Sequence, residues 1–153
     1  MTTMLERFRK MIENGKPIMP FATLLGFSVK SVELGQAVIE IEMNEHHVNP
    51  SGTLHGGVYC AIADTAMGVA FATMLDEGEA LATLELKINY LKPLWKGKIL
   101  ALGKVVKKGK VTGLVECDVL DENEQLVARA SSTYMAISGE QAKNRTLPNE
   151  LLV

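Results

Sequence analysis

The sequence predicts an α+β fold in which one wide, curled antiparallel sheet wraps around one long buried helix. Three observations support this prediction. First, residues 56–75 are free of charge apart from Asp64, and a helix that is apolar nearly all round must be buried. Second, four strand-like stretches with short turns follow it, which favours antiparallel pairing. Third, two strand-like stretches precede it, so that one sheet accommodates every strand.

Hydrophobic periodicity and turn residues predict the individual elements. Near the N-terminus, apolar residues recur at helical spacing as far as a stop signal at Asn14 and Gly15. Pro17 and Pro20 then predict an extended connection. In chain order, the predicted elements are a helix at about 4–14, strands at about 29–34 and 37–43, a helix at about 55–75, and strands at about 82–91, 99–106, 111–120 and 126–137.

All 153 residues are interpreted as one domain, with a core at about 21–137 and a polar tail from residue 138. The charge is nearly balanced, with 16 Lys and Arg against 18 Asp and Glu, which gives no electrostatic reason to expect a nucleic-acid partner. Although residues 56–75 are long enough to span a bilayer, they are rich in Ala and Gly and lack anchors at both ends. A buried helix is the better interpretation, and no membrane span is expected.

The expected location is cytoplasmic. Residues 1–15 mix charged and apolar side chains and lack the uninterrupted apolar region of a secretory signal. Cys60 and Cys117 lie in apolar surroundings without C-x-x-C spacing, which favours reduced, buried side chains.

Asp64 is the first candidate catalytic residue. An ionised carboxylate inside an apolar helix is costly unless it is paired or hydrogen-bonded. No Lys or Arg lies three or four residues away on the same helix. Such a carboxylate is a candidate nucleophile or general base, and a structural aspartate bonded to a neighbouring backbone group is the alternative.

His55, Gly56 and Gly57 stand at the predicted start of the same helix. Helix N-termini present unsatisfied N–H groups and partial positive charge, and glycines let a substrate approach closely. This is the construction that an oxyanion hole needs, while a tight turn capped by histidine is the alternative. The adjoining His46 and His47 have no partner at metal-ligand spacing and are interpreted as surface residues, so neither a metal nor an organic cofactor is expected.

These residues together resemble the signature of the hotdog-fold acyl-CoA thioesterases, of the phenylacetic-acid-degradation and 4-hydroxybenzoyl-CoA type. The resemblance covers about residues 21–137 and rests on Asn49-x-x-Gly52-x-x-His55-Gly56-Gly57 followed by Asp64. It implies that Asp64 is the nucleophile or the general base and that the Gly56 N–H polarises the thioester carbonyl. It further implies support for that carbonyl from the side chains of Asn49 and His55, and a Thr83 hydroxyl that helps to place water. Thr83 is otherwise an ordinary β-branched strand residue.

One departure from the pattern bears on the substrate. Relatives of the hydroxybenzoyl type carry a threonine one turn after the acid, where this chain has Gly68. The resemblance is therefore closer to the phenylacetate branch, and hydrolysis of aryl- or medium-chain acyl-CoA is expected. The candidate substrate-binding residues are Gly57 at the start of the helix, Gly68 and Phe71 for the acyl group, and the basic hairpin of Lys107, Lys108 and Lys110 for the phosphates of CoA. A core role for Phe71 and a solvated turn for the lysines are the alternatives.

A distance argument predicts that the site is shared between two chains. His55 and Asp64 are nine residues apart, which on one helix is roughly 13 Å. The carbon and oxygen of a carbonyl are about 1.2 Å apart. One copy of the helix therefore cannot supply both the group that attacks the carbon and the group that holds the oxygen. We expect a two-fold homodimer in which Asp64 of one chain faces Gly56 of the other, and the resemblance implies obligate dimers, with a dimer of dimers as the extended form.

Two other functions stay open on the sequence alone. A hotdog dehydratase needs a histidine and an acid placed for proton abstraction beside a carbonyl, and the spacing here fits that chemistry worse. A non-catalytic acyl-CoA binding or sensing module would need neither Asp64 nor Thr83. The preferred acyl group and the metabolic role do not follow from the sequence.

Overall fold

Six antiparallel strands form one sheet that curls around a single long helix. The computed structural model describes residues 3–17 and 19–145. Its elements are α1 (Met4–Glu13), α2 (Pro20–Leu25), β1 (Ser28–Glu33), β2 (Gln36–Glu42), a short 3-10 helix (Glu45–His47), α3 (Gly56–Ala72), β3 (Ala80–Tyr90), β4 (Lys98–Lys108), β5 (Thr112–Asp121), β6 (Leu126–Ile137) and α4 (Glu140–Lys143). The strand order is β1-β2-β4-β5-β6-β3, which leaves β1 and β3 at the edges. The predicted architecture is confirmed.

Helix α3 lies against the concave face of the sheet and contacts all six strands. Eleven of its 17 residues are buried, as expected for a helix that is apolar nearly all round. The strands bury alternate residues toward it, for example Ala37, Ile39 and Ile41 of β2. None of the described helices is long and apolar enough to cross a membrane.

Gly103 of β4 allows α3 to pack directly against the centre of the sheet. A Cβ atom at this position would lie 2.4 Å from the carbonyl oxygen of Ala66 on α3, a distance that no real side chain tolerates. Because Ala66 is two residues from Asp64, this contact also holds the candidate carboxylate at a fixed height above the sheet.

The segment after the first helix differs from its prediction. The connection was expected to be extended, but Pro20 is the first residue of helix α2. Proline is compatible with the first helical turn, where its missing N–H has no partner to lose. The helix ends at Leu25, and its C-cap Gly26 adopts the left-handed conformation with φ of 79°.

Smaller differences concern element ends. Helix α3 begins at Gly56 because His55 is its N-cap, and it ends at Ala72, three residues before the predicted end. Lys107 and Lys108 belong to strand β4 rather than to the following turn. The polar tail contains the short helix α4, and its residues from 146 onward lie outside the described part of the chain.

Candidate functional site

Asp64 lies in the middle of α3, where it is half-buried and faces β3 and β6. The Thr83 hydroxyl donates to its Oδ1 over 3.0 Å. The Tyr134 hydroxyl lies 2.6 Å from the same Oδ1 and 2.9 Å from the main-chain oxygen of Asp64. Among the described residues, no cation forms an ion pair with Asp64. The side chains that hold this carboxylate are therefore two neutral hydroxyl groups.

Tyr134 is a site residue that the sequence reasoning missed. It is fully buried on β6, in an inward-facing row whose other buried members, Ala128, Ala130 and Ser132, are small. A buried tyrosine hydroxyl usually finds a polar partner, so a phenol in this row was a detectable signal. Burial, followed by the negative charge of Asp64, raises the pKa of the Tyr134 phenol. The group therefore stays protonated and acts as a donor.

His55 caps the N-terminus of α3. Its Nδ1 accepts a hydrogen bond of 2.8 Å from the N–H of Gly57, so the proton of the neutral ring is on Nε2. No described residue accepts a hydrogen bond from the Gly56 N–H. At the start of this helix, the Gly57 N–H is bonded to the His55 cap, and the Gly56 N–H is available to a ligand. The predicted oxyanion-hole roles of Gly56 and His55 stay predictions that this geometry permits.

Tyr90 holds Gly56 from the end of β3. Its hydroxyl donates to the Gly56 carbonyl over 3.0 Å and lies 3.2 Å from the Sγ of Cys60. A Cβ atom on Gly56 would lie 3.0 Å from this hydroxyl oxygen, a tight contact that a glycine at this position avoids. The hydrogen bond with Cys60, followed by burial, raises the pKa of Tyr90 to about 12. The Tyr90 phenol therefore remains a donor at neutral pH.

The two cysteines are free, as expected. Burial is the main reason that the pKa of Cys117 is raised to about 12. Cys60 is only half-buried, which differs from the expectation, because it lies beside the exposed edge strand β3.

Asn49 organises the turn that leads to α3. Its Oδ1 accepts hydrogen bonds from the N–H groups of Ser51 (2.9 Å) and Thr53 (3.1 Å), and its Nδ2 donates to the Thr53 hydroxyl (2.8 Å). An amide nitrogen carries two protons, so one proton is left for a further acceptor. The structure thus gives Asn49 a local structural role, and its contact with a substrate carbonyl stays a prediction.

The expectation that His46 and His47 are both surface residues is wrong for His47, which is 3% exposed. The N–H of Asn44 donates to its Nδ1 over 3.1 Å, so Nε2 carries the proton and donates to the carbonyl of Leu25 over 2.9 Å. The His47 carbonyl in turn accepts from the His55 N–H over 2.8 Å. His47 therefore ties the segment before the site to α2 and to the start of α3.

The candidate substrate-binding residues have different positions. Phe71 is fully buried and stacks on Tyr134, which favours the core alternative, while its contact with the acyl group stays a prediction. Gly68 is half-buried beside the Tyr134 ring, and Gly57 is exposed. The basic side chains of the β4–β5 hairpin, at Lys107, Lys108 and Lys110, form no ion pair with a described residue.

The hairpin lies at the same end of the sheet as the carboxylate site, because Gly113 of β5 pairs with Tyr134. Contact of its lysines with CoA phosphates stays a prediction. The described residues hold no group of three or more His, Cys, Asp or Glu placed to bind a metal ion.

The parts of the site lie at two separate places on one chain. Gly56 and Asp64 are eight residues apart on α3, which corresponds to about 12 Å. Two concavities stand out in the described chain: a cleft of about 400 Å³ on the strands β1, β2, β4, β5 and β6, and one of about 240 Å³ beside Trp95. Neither is lined by Gly56 or Asp64.

Comparison with known proteins identifies similar chains. The sequence profile of the thioesterase superfamily matches residues 51–128, a segment that includes Gly56, Asp64 and Thr83. A 1,4-dihydroxy-2-naphthoyl-CoA hydrolase of Listeria monocytogenes is 32% identical over 109 residues, covering 71% of this chain and 89% of the relative. Human acyl-coenzyme A thioesterase 13 is 26% identical over 136 residues, covering 87% of this chain and 96% of the relative. A solved structure of a variant of the phenylacetic acid degradation protein PaaI from Thermus thermophilus superposes with a TM-score of 0.72 at 30% identity, covering 76% and 98% of the two chains.

Proposed function

This chain belongs to the thioesterase superfamily and is a thioester hydrolase with the hotdog fold, and we propose that it hydrolyses acyl-CoA thioesters with aryl or medium-chain acyl groups. The observation that carries this proposal is the carboxylate of Asp64, which two hydroxyl groups hold in the middle of an apolar helix. Two of the relatives above are named for the hydrolysis of CoA thioesters, which favours this substrate class over a dehydratase reaction or mere acyl-CoA binding.

The proposed reaction uses water as the second substrate. The Asp64 carboxylate takes one proton from water while the water oxygen bonds to the thioester carbonyl carbon. The negative charge that develops on the carbonyl oxygen is held by the Gly56 N–H, aided by Nε2–H of His55. The C–S bond then breaks, the CoA sulfur takes the proton, and the products are the free acid and the CoA thiol. The exposed hydroxyl of Thr83, 3.0 Å from Asp64, lies where it can also bind that water.

The proposed site is completed by a second copy of the chain. Thr83 and Tyr90 lie seven residues apart on the edge strand β3; Thr83 contacts Asp64, and Tyr90 contacts Gly56. If two copies of β3 pair antiparallel about a two-fold axis between Leu86 and Lys87, Thr83 of one chain lies next to the partner's Tyr90. This arrangement brings Asp64 of one chain close to Gly56 of the other. The two groups that act on one carbonyl then need not come from positions about 12 Å apart on the same helix.

The surface of β3 supports this pairing. The strand has one free edge and carries large apolar side chains that are about half exposed, at Leu84 (53%) and Tyr90 (52%), with Leu91 (56%) directly after it. An exposed apolar edge strand is a template for pairing with another chain. A homodimer with two shared sites is therefore part of the proposal, and a dimer of dimers is its extended form.

The direct test is free-thiol release from a panel of acetyl-, octanoyl- and phenylacetyl-CoA. We expect turnover by the parent protein, and a loss of at least about a hundredfold in Asp64→Asn with acyl-CoA binding and folding retained, because general-base effects begin at that size. Asp76→Asn is the matched control, since it makes the same change at an exposed aspartate after α3.

Three outcomes would contradict the proposal. Activity of Asp64→Asn within threefold of the parent would exclude Asp64 as the catalytic group. Binding of acyl-CoA without any thiol release would indicate the binding module instead. Loss of one water from a 3-hydroxyacyl-CoA included in the panel, with the thioester intact, would indicate the dehydratase.

A further inference from the structure

Tyr134 reaches Asp64 from the strand next to the one that carries Thr83. Tyr134 of β6 and Thr83 of β3 are directly paired across the two strands, so both side chains are on the face toward α3. The Tyr134 ring is fully buried and stacks on Phe71, with ring centroids 5.5 Å apart and an angle of 25° between the planes. Core packing therefore holds the hydroxyl in place at the helix.

The two hydroxyls act on the same carboxylate oxygen. Tyr134 contacts Oδ1 at 2.6 Å and Thr83 contacts Oδ1 at 3.0 Å. Within residues 3–17 and 19–145, no donor is bonded to Oδ2 of Asp64. A carboxylate oxygen offers about two lone-pair positions, so Oδ1 is saturated while Oδ2 is available. The protein has made the two oxygens of this carboxylate chemically unequal.

Gly68 provides the space through which Tyr134 approaches the helix. A Cβ atom at this position would lie 3.7 Å from Cε1 of the Tyr134 ring and 3.8 Å from its hydroxyl oxygen. These are ordinary contact distances for a methyl group, so a larger side chain would meet the ring. The glycine one turn after Asp64 thus accommodates the tyrosine.

We propose that Tyr134 is a positioning residue for the hydrolysis: its hydroxyl, together with Thr83, holds Oδ1 of Asp64 so that Oδ2 faces the substrate and takes the proton from water. This proposal rests on the proposed function. It deepens that function by assigning the reacting atom and the side chain that selects it. Tyr134 itself contacts no substrate, because its side chain is fully buried.

The test separates positioning from packing. Tyr134→Phe keeps the ring that stacks on Phe71 and removes only the hydroxyl oxygen. We expect kcat to fall at least about tenfold, since a hydrogen bond to a charged group contributes enough free energy for one or two powers of ten in rate. KM should stay within about twofold, and the midpoint of thermal unfolding should stay near that of the parent.

Tyr59→Phe is the matched control. Tyr59 is also buried, at 3% exposure, and its hydroxyl donates to the Lys92 carbonyl over 3.2 Å, away from Asp64. We expect its kcat within about twofold of the parent. A kcat of Tyr134→Phe within twofold of the parent, or an equal loss in Tyr59→Phe, would overturn the proposal.

Crystal structures of the parent and of Tyr134→Phe give a second measurement that needs no substrate. The proposal expects the Tyr134 hydroxyl within hydrogen-bond distance of Oδ1 in the parent and a rotated Asp64 carboxylate in the variant. An unchanged carboxylate orientation, or a parent structure without this contact, would overturn it. If the carboxylate rotates but the parent hydrolyses no acyl-CoA, the proposed function fails, while the conclusion that Tyr134 orients the Asp64 carboxylate stands.

Discussion

Thr83 on the edge strand β3 and Asp64 on helix α3 are joined by a 3.0 Å hydrogen bond across the site. The register of β3 against β6 is interrupted between Thr83 and Glu85, so Leu84 is an extra residue in the strand. Such bulges redirect side chains next to functional sites. The bulge lets Thr83 face the helix directly opposite Tyr134 while the strand continues along the edge.

The first prediction concerns this hydroxyl. Thr83→Val keeps the shape of the side chain but removes the donor to Oδ1 of Asp64, so we expect kcat to fall at least about tenfold. Thr83→Ser keeps the hydroxyl and should retain activity within about threefold. Steady-state thiol release from the best acyl-CoA measures both. Equal activity of the valine and serine variants would show that the hydroxyl has no role.

The second prediction concerns Gly68. Gly68→Ala fits at ordinary contact distance from Tyr134 and should raise the free energy of unfolding by about 1 kcal/mol, because glycine is unfavourable inside a helix. Gly68→Leu should reduce activity on phenylacetyl-CoA and octanoyl-CoA far more than on acetyl-CoA, because the half-buried position is a candidate for the acyl pocket. Denaturant unfolding and the substrate panel measure the two effects. An equal loss on all three substrates would show that the leucine acts through Tyr134 instead.

The third prediction tests whether the Gly56 N–H is the oxyanion donor. Gly56 is the first residue of α3, where proline is tolerated, and the extended backbone of His55 suits a following proline. Gly56→Pro removes the N–H and should lower kcat at least about a hundredfold, the usual effect of losing one such donor. Gly56→Ala makes the same close contact with Tyr90 but keeps the N–H, so it is the matched control. If both variants lose activity equally, the N–H is not the donor.

The fourth prediction tests the shared site. Asp64→Asn and Gly56→Pro are refolded together in equal amounts, which makes about half of the dimers mixed if pairing is random. Each mixed dimer then has one intact site and one doubly damaged site, so about a quarter of parental activity should return. Thiol release is compared with each variant refolded alone, and mass spectrometry confirms the mixed dimers. No recovery in a sample that contains them would place each whole site within one chain.

The fifth prediction concerns stability against acid, away from the site. Lys92 donates to Oδ2 of Asp121 over 2.8 Å, and this bond, followed by the Gln125 N–H, lowers the pKa of Asp121 from its ordinary 3.8. A lowered carboxyl pKa stabilises the folded state above the ordinary value, and the stabilisation is lost as pH falls through the folded pKa. Lys92→Met should therefore lower the midpoint of thermal unfolding at pH 7. The difference from the parent should shrink below pH 3.8 and vanish in stronger acid.

Lys16→Met is the control for that experiment, because Lys16 is exposed in the segment after α1 and forms no ion pair with a described residue. It should leave the unfolding midpoint unchanged at every pH. A constant difference between Lys92→Met and the parent from pH 7 down to strong acid would show that the lysine stabilises by packing alone.

The sequence by itself determined the parts of this protein whose signals are local. The apolar composition of residues 56–75 identified α3 as the core helix, and alternation identified the strands to within a few residues. The histidine and glycines at the start of α3, and the lone Asp64 within it, were recognisable because caps and buried charges leave signatures over a few neighbouring positions.

Only the tertiary structure decided which distant groups meet. Tyr134 is 70 residues from Asp64 in the chain, and no local pattern encodes their contact, because it depends on β6 pairing with β3 and on α3 lying close to both. The burial of His47 depends in the same way on α2, a helix that the prolines concealed. The choice of Oδ1 over Oδ2 needs two hydroxyls to converge from two strands, and such convergence exists only after the sheet has closed over the helix.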